Sequence, residues 1–303
     1  MDFQPHEPCP CGSGDLHNDC HGPILSAPPH KQLQVAQARY ASGWNQNAER
    51  YKAQGLYHQL ALNLVSVGNI KKVFDIGCGL GHGIEAIKSE LPPLQSSIVG
   101  VDENPDCISG AVKLLGLELI PMAHQRLKSK RQLSGQFSIE VRKGRIPAPS
   151  EISVINADML LRDPQFEIWL EEQSPFDAVT MWFMGVHKAR SMTKIYNEIG
   201  IHSDRENREA LERRQLELAS RLLHTGGVLQ LVNRVVSNDI DSYRDTLVQE
   251  AKTKLTGSGL KFSSLSTFQY EEPNNTGSIR VSTPGLDVMG IPTFATSILA
   301  LKA

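Results

Sequence analysis

The segment KKVFDIGCGLGHGIEAIKSEL, residues 71–91, narrows the possible folds more than any other stretch of the chain. KKVFDIG (71–77) has the β-branched and aromatic make-up of a buried strand, and HGIEAIKSEL (82–91) has helical spacing. Gly77, Gly79, Gly81 and Gly83 fall in the turn from one to the other. Glycines there let the backbone approach a ligand closely and leave N–H groups free at the helix start. A dinucleotide fingerprint G-x-G-x-x-G counted from Gly77 demands glycine at position 82, where the chain has His82. The pattern is instead D-x-G-x-G-x-G, with Asp75 inside the end of the strand.

Six further strands read from the sequence: 96–102, 151–158, 176–183, 226–235, 261–270 and 293–303. Helical segments at 107–116, 163–173, 204–223 and 240–259 lie among them, with none before the last strand. Such alternation implies crossover connections and a mainly parallel sheet, with an antiparallel C-terminal hairpin at its edge. Ahead of this core, 31–68 reads as two amphipathic helices broken near Ser42-Gly43, the second ending at Gly68-Asn69. Two connections, 117–150 and 185–205, are longer than usual and read as insertions. The first is basic, with Arg126, Lys128, Lys130, Arg131, Arg142, Lys143 and Arg145, and reads as a solvated surface segment or a lid. The expected division is a separate segment at 1–30 and one domain at 31–303.

The glycine pattern resembles the first motif of class I S-adenosylmethionine (SAM) dependent methyltransferases, and further parts of that family's pattern follow in order. The second strand ends in Asp102, where the family's acidic residue accepts hydrogen bonds from both ribose hydroxyls. Asn156-Ala157-Asp158-Met159 resembles the adenine-contacting segment, in which an Asp meets the exocyclic amine. FDAVTMWFMGVH holds Asp177 and His187, and ASRLLHTGGVLQLV resembles the family's R-x-L-x-x-G-G element. The resemblance covers roughly 70–303 and implies a Rossmann-like seven-stranded α/β fold with SAM as cofactor. It places cofactor-binding groups at Asp75, Gly77, Cys78, Gly79, Gly81, Asp102, Asn156, Asp158, Met159 and Trp182. It also implies that the N-terminal helices close over the cofactor, bringing Trp44, Tyr51 or Tyr57 near it; of these, Tyr51 is the expected contact, with a simple core role as the alternative. His187 is the candidate base, with a satisfied loop histidine as its alternative.

The N-terminal thirty residues carry no apolar periodicity but contain CPCGSGDLHNDCHG. Five cysteines, three of them at Cys9, Cys11 and Cys20, do not make a disulfide framework. With His21 they supply three thiolates and one imidazole, a closed tetrahedral set that suits structural rather than catalytic Zn2+. The stretch resembles the SEC-C motif, first recognised at the C-terminus of the preprotein-translocase ATPase. That resemblance implies a small interaction module, hence a protein partner, or a stabilising knob on the larger domain.

The formal charge of −2, from 31 Lys plus Arg against 33 Asp plus Glu, excludes a generic electrostatic binder of nucleic acid or anionic membrane. TMWF on the fourth strand has no proline where amino-directed nucleic-acid methyltransferases carry N/D-P-P-Y/F. Neither Cys78 nor Cys107 has the Pro-Cys context of the C5-cytosine class. The expected acceptor is therefore a small molecule or a protein side chain. No apolar run reaches membrane-spanning length and no signal peptide is visible, so the expected location is cytoplasmic. Two other readings stay open: other SAM chemistry releasing methylthioadenosine, and a zinc-knuckle adaptor that keeps SAM as a structural ligand.

Overall fold

In a computed structural model, the described residues are 4–7, 9, 16–92, 95–117, 126–143, 146, 150–185, 188–272 and 291–303. Its strands are β1 (Lys72–Ile76), β2 (Ser97–Asp102), β3 (Leu127–Arg131), β4 (Phe137–Val141), β5 (Ile152–Asn156), β6 (Phe176–Trp182), β7 (Leu223–Val236), β8 (Leu260–Tyr270) and β9 (Thr293–Lys302). Seven of them form one sheet in the order β5-β2-β1-β6-β7-β9-β8, and β3 pairs with β4 in a separate hairpin. Strands β5, β2, β1, β6 and β7 are mutually parallel, and β9 runs antiparallel to both neighbours. This is a Rossmann-like, mainly parallel seven-stranded sheet with an antiparallel C-terminal pair.

The near-continuous apolar runs of the central strands follow from burial on both faces. Alternate residues go to opposite sides. Val73, Ile98, Val154 and Ala178 pack towards α3 (Leu56–Val65), α4 (His82–Glu90) and α5 (Pro105–Leu114). Phe74, Val99, Ile155 and Val179 pack towards α6 (Pro164–Gln173) and α8 (Asp204–Leu222). Side-chain caps fix where several helices start: Asn104 accepts from Asp106 N–H, Asp163 from Phe166 N–H and Ser203 from Glu206 N–H. Among the described residues no helix is long and apolar enough to cross a membrane.

Two expectations are corrected. The first N-terminal helix does not break at Ser42-Gly43; α2 (Gln32–Ala53) runs straight through. Its inward stripe of Leu33, Ala36, Ala41, Trp44, Ala48 and Tyr51 continues across Gly43, and that burial outweighs the roughly 1 kcal/mol cost of a helical glycine. The chain turns instead at Gly55, which adopts φ 72°. The expected antiparallel C-terminal hairpin does form the edge of the sheet, with β9 between β7 and β8 and β8 outermost.

The second correction concerns Arg126. Strand β3 does carry exposed Lys128, Lys130 and Arg131, but Arg126 is only 1% exposed. Its guanidinium forks onto Asp163, Nε to Oδ2 at 2.7 Å and Nη2 to Oδ1 at 2.7 Å. The carboxylate that caps α6 thus also anchors the insertion. Asp163→Asn keeps an acceptor for the cap but strands a buried guanidinium, so we expect a loss of about 3–5 kcal/mol in urea unfolding. The double variant Arg126→Met/Asp163→Asn should recover much of that loss; a neutral single substitution refutes the anchor.

Candidate active site

Parallel strand β1 pairs with β2 on one side and β6 on the other. From β1 the chain moves outward to β2 and β5, then returns to add β6 and β7 on the opposite flank. The order reverses between β1 and β6, and such a switch point opens a crevice at the carboxyl ends of the strands. A cleft lies there, lined among others by Gly77, Gly79, Asp102, Asp158, Met159 and Trp182.

The loop after β1 is held by its neighbours. Gly77 and Cys78 both donate their backbone N–H to Val101 O, at 2.8 and 2.9 Å. Gly79 N–H donates to Asp102 Oδ2 at 3.0 Å, and Asn104 N–H donates to Asp102 Oδ1 at 2.8 Å. The carboxylate at the end of β2 is therefore fixed in orientation at the mouth of the loop. Gly79 has φ 54°, and a Cβ on it would stand 2.8 Å from Trp44 Nε1, so both conformation and space require glycine.

Behind the loop, Asp75 is 4% exposed and accepts the Thr180 hydroxyl at 2.6 Å. Burial pushes its pKa up to about 6, with the Thr180 hydrogen bond pulling the other way. On the far wall, Arg190 sits in the 3-10 turn Lys188–Met192 and bridges two carboxylates. Its Nη1 is 3.2 Å from Glu103 Oε1 and its Nη2 is 3.0 Å from Asp158 Oδ2. Burial opposes its charge, but Asp158 and Glu103 outweigh that and raise its pKa further. The turn is seated by Ala189, which packs with Leu33, Ala36 and Phe137.

Gly77, Gly79, Asp102, Asp158, Met159 and Trp182 come together in the lining. Trp182 donates its indole N–H to Gln230 Oε1 at 2.9 Å and stacks on Tyr57. The other expected contacts lie outside that lining. Asn156 donates to the backbone oxygens of Asp102 and Glu103, both at 3.0 Å, pinning the end of β2. Cys78 is buried, which pushes its thiol up and makes it inert. Gly81 turns the chain into α4 with φ 89°. Tyr51 donates its hydroxyl to Glu272 at 2.7 Å and joins Trp44 and Phe183 around the Arg234 guanidinium. Asp177 accepts the backbone N–H groups of Lys71 and Lys72, at the opposite end of the sheet. His187 and Cys11 lie outside the described residues. The lining also contains Tyr40, Glu103, Arg190, Asn207 and Leu211, which sequence reasoning missed.

At the N-terminus, His21 Nδ1 lies 3.2 Å from both Cys9 Sγ and Cys20 Sγ. The three ligand atoms are all within 4.8 Å of one another. A tetrahedral zinc shell separates such atoms by about 3.5–3.8 Å, so the donors fit the ion in both chemistry and spacing.

No family model matches this sequence, and no curated protein matches it significantly. Among solved structures it is similar to the N-methyltransferase NodS from Bradyrhizobium japonicum, bound to S-adenosyl-L-homocysteine. That match is 15% identical with TM-score 0.42, over 89% of this chain and 97% of the other. It is also similar to a chain in the Haloferax volcanii complex between the methyltransferase activator Trm112 and its methyltransferase, 12% identical with TM-score 0.45, over 88% and 97%. TrmN from Thermus thermophilus is 14% identical with TM-score 0.42, covering 81% of this chain; the match spans 48% of TrmN. At these identities the likeness is one of fold.

The raised pKa of Asp75 has a consequence for stability. Below about pH 3 the carboxyl is protonated both folded and unfolded; above about pH 6 the folded protein must bury a charge that the unfolded chain solvates. Asp75→Asn should therefore stabilise the ligand-free protein by on the order of 2 kcal/mol at pH 7.5 and by almost nothing at about pH 3. Urea unfolding across that range tests it, and a difference that does not vary with pH refutes the buried charge.

Proposed function

We propose that this chain is a class I SAM-dependent methyltransferase acting on a small molecule or a protein side chain, with a structural zinc in its N-terminal segment. The observation that carries the reading is the Asp102 carboxylate, held by the Gly79 and Asn104 N–H groups at the mouth of the glycine loop. A carboxylate fixed in this way is a ready acceptor for two vicinal ribose hydroxyls. Gly77 and Gly79 give close backbone approach for the methionine portion. Asp75, a buried carboxylate behind them, complements a cationic ligand. Asp158 and Met159 wall the end where the base lies.

The bound cofactor would supply an electrophilic methyl group on a sulfonium. What the chain must do is hold the acceptor in line at about 3–3.5 Å and keep water out. Trp44, Trp182 and Phe183 give that part of the lining an aromatic surface. His187 takes the proton where the acceptor carries one at neutral pH. Cys9, Cys11, Cys20 and His21 hold the zinc, which serves local folding and offers a docking knob to a protein partner.

Titration calorimetry with S-adenosylhomocysteine tests the cofactor. Asp102→Ala should weaken binding by about 10–100-fold, because a charged acceptor of two hydrogen bonds is lost. Gly79→Val should abolish it; unchanged affinity in both variants sinks the assignment. Labelled SAM incubated with fractionated cell extract should yield S-adenosylhomocysteine, and methylthioadenosine in its place would assign the other chemistry. His187→Ala should lower that turnover by about 10²–10⁴-fold with cofactor affinity intact.

About one zinc per chain should copurify and be lost from Cys9→Ser/Cys20→Ser, with cofactor affinity preserved. Metal content indifferent to that double substitution refutes the knuckle.

A further inference from the structure

Asn207 lies one turn inside α8, its backbone N–H bonded to Ser203 O at 3.0 Å. Its side chain is 0% exposed and lines the cleft. Neither Oδ1 nor Nδ2 has a hydrogen-bond partner among the described residues. Buried carboxamides are nearly always paired, because an orphaned donor and acceptor together forfeit their bonds to water without replacement. An unpaired one in the wall of a cleft is a group waiting for a ligand. Leu211, one turn further along α8, and Met159 line the same cleft with apolar surface suited to a flat ring.

In the same lining, the carboxylate expected to meet the adenine amine is already engaged. Asp158 Oδ1 accepts the Leu160 N–H at 2.9 Å, and Oδ2 pairs with the buried guanidinium of Arg190 at 3.0 Å. An amine approaching Asp158 competes with both. Arg190 acts as a positioning residue: it locks Asp158 to Glu103 and offsets part of their negative charge.

Of the parts of SAM, the ribose is matched by Asp102 and the amino-acid portion by the glycine loop. The adenine edge presents an exocyclic amine beside a ring nitrogen, a donor next to an acceptor, which a carboxamide matches with two parallel hydrogen bonds. The geometry points to Asn207 as the residue that reads the adenine edge of the cofactor, in place of Asp158. This inference rests on the cofactor reading above.

The test compares two ligands by titration calorimetry on the full chain: S-adenosylhomocysteine and its 6-deamino analogue, which has purine in place of adenine. The parent should prefer the adenine form by about tenfold or more. Asn207→Leu should bind S-adenosylhomocysteine about 10–100-fold more weakly and discriminate between the two by less than about threefold. Asp158→Ala should weaken both ligands alike and keep the parent's preference. The inference is overturned if Asn207→Leu keeps that preference, if Asp158→Ala abolishes it, or if the parent has none. Should Asn207→Leu fail to fold, Asn207→Ser and the Asp158→Ala arm decide by the same ratios. A parent that binds neither ligand refutes the cofactor reading itself.

Discussion

A sheet wound in both directions from a central strand leaves one gap that its own connections do not cover. In this chain β1 is that strand: the connection from β1 runs to one flank and the chain later adds β6 on the other. Crossover helices protect both faces of the sheet, so the exposed place is the carboxyl edge beside β1, and the glycine loop is set there. The other parts of the site follow from that placement. Asp102 is the last residue of the adjacent strand, Asp158 follows the strand beyond it, and Trp182 ends the strand on the other side. Three strand ends and one loop converge because parallel register brings them level.

Charge, more than apolar packing, shapes what that gap holds. Asp75 is buried with a hydroxyl as partner, and Arg190 is buried between two carboxylates. The two arrangements are unalike. Arg190 is ion-paired with two carboxylates, which is how an interior tolerates an ion. Asp75 has no cationic partner in its hydrogen bonding, and its raised pKa records the cost. A carboxylate buried without a cation costs the ligand-free protein stability and returns none.

The parts legible in the sequence are those encoded locally. Strand runs, the glycine spacing, the acidic ends of two strands and the Cys/His spacing each occupy a few consecutive residues, and they locate seven strands and about a third of the cleft lining. The parts that stayed hidden depend on contacts distant in sequence. Arg190 has no local signature, because its partners Glu103 and Asp158 come from two other loops. Arg126 reads as one more surface cation, and only the fold sets Asp163 against it. Asn207 reads as an ordinary polar residue of a polar helix, and only the tertiary arrangement shows that it points inward. Tyr51 lies on a legible helical stripe, but nothing local shows that Glu272 and Arg234 stand beside it. Gly43 illustrates how a continuous buried stripe overrides a residue with poor helix propensity.

The position of β9 bears on how such a chain comes to be assembled. Strand β7 pairs along nine residues with β9, from Val228 to Val236, and β8 reaches the sheet only through β9. While β9 is still unmade, a nascent chain already carrying β7 presents a long strand with an unsheltered row of backbone donors and acceptors, and β8 has nothing to join. Such an edge invites pairing with other chains. The β7 flank thus remains an aggregation hazard until synthesis reaches residue 302, and it is where we expect a chaperone to be needed during translation.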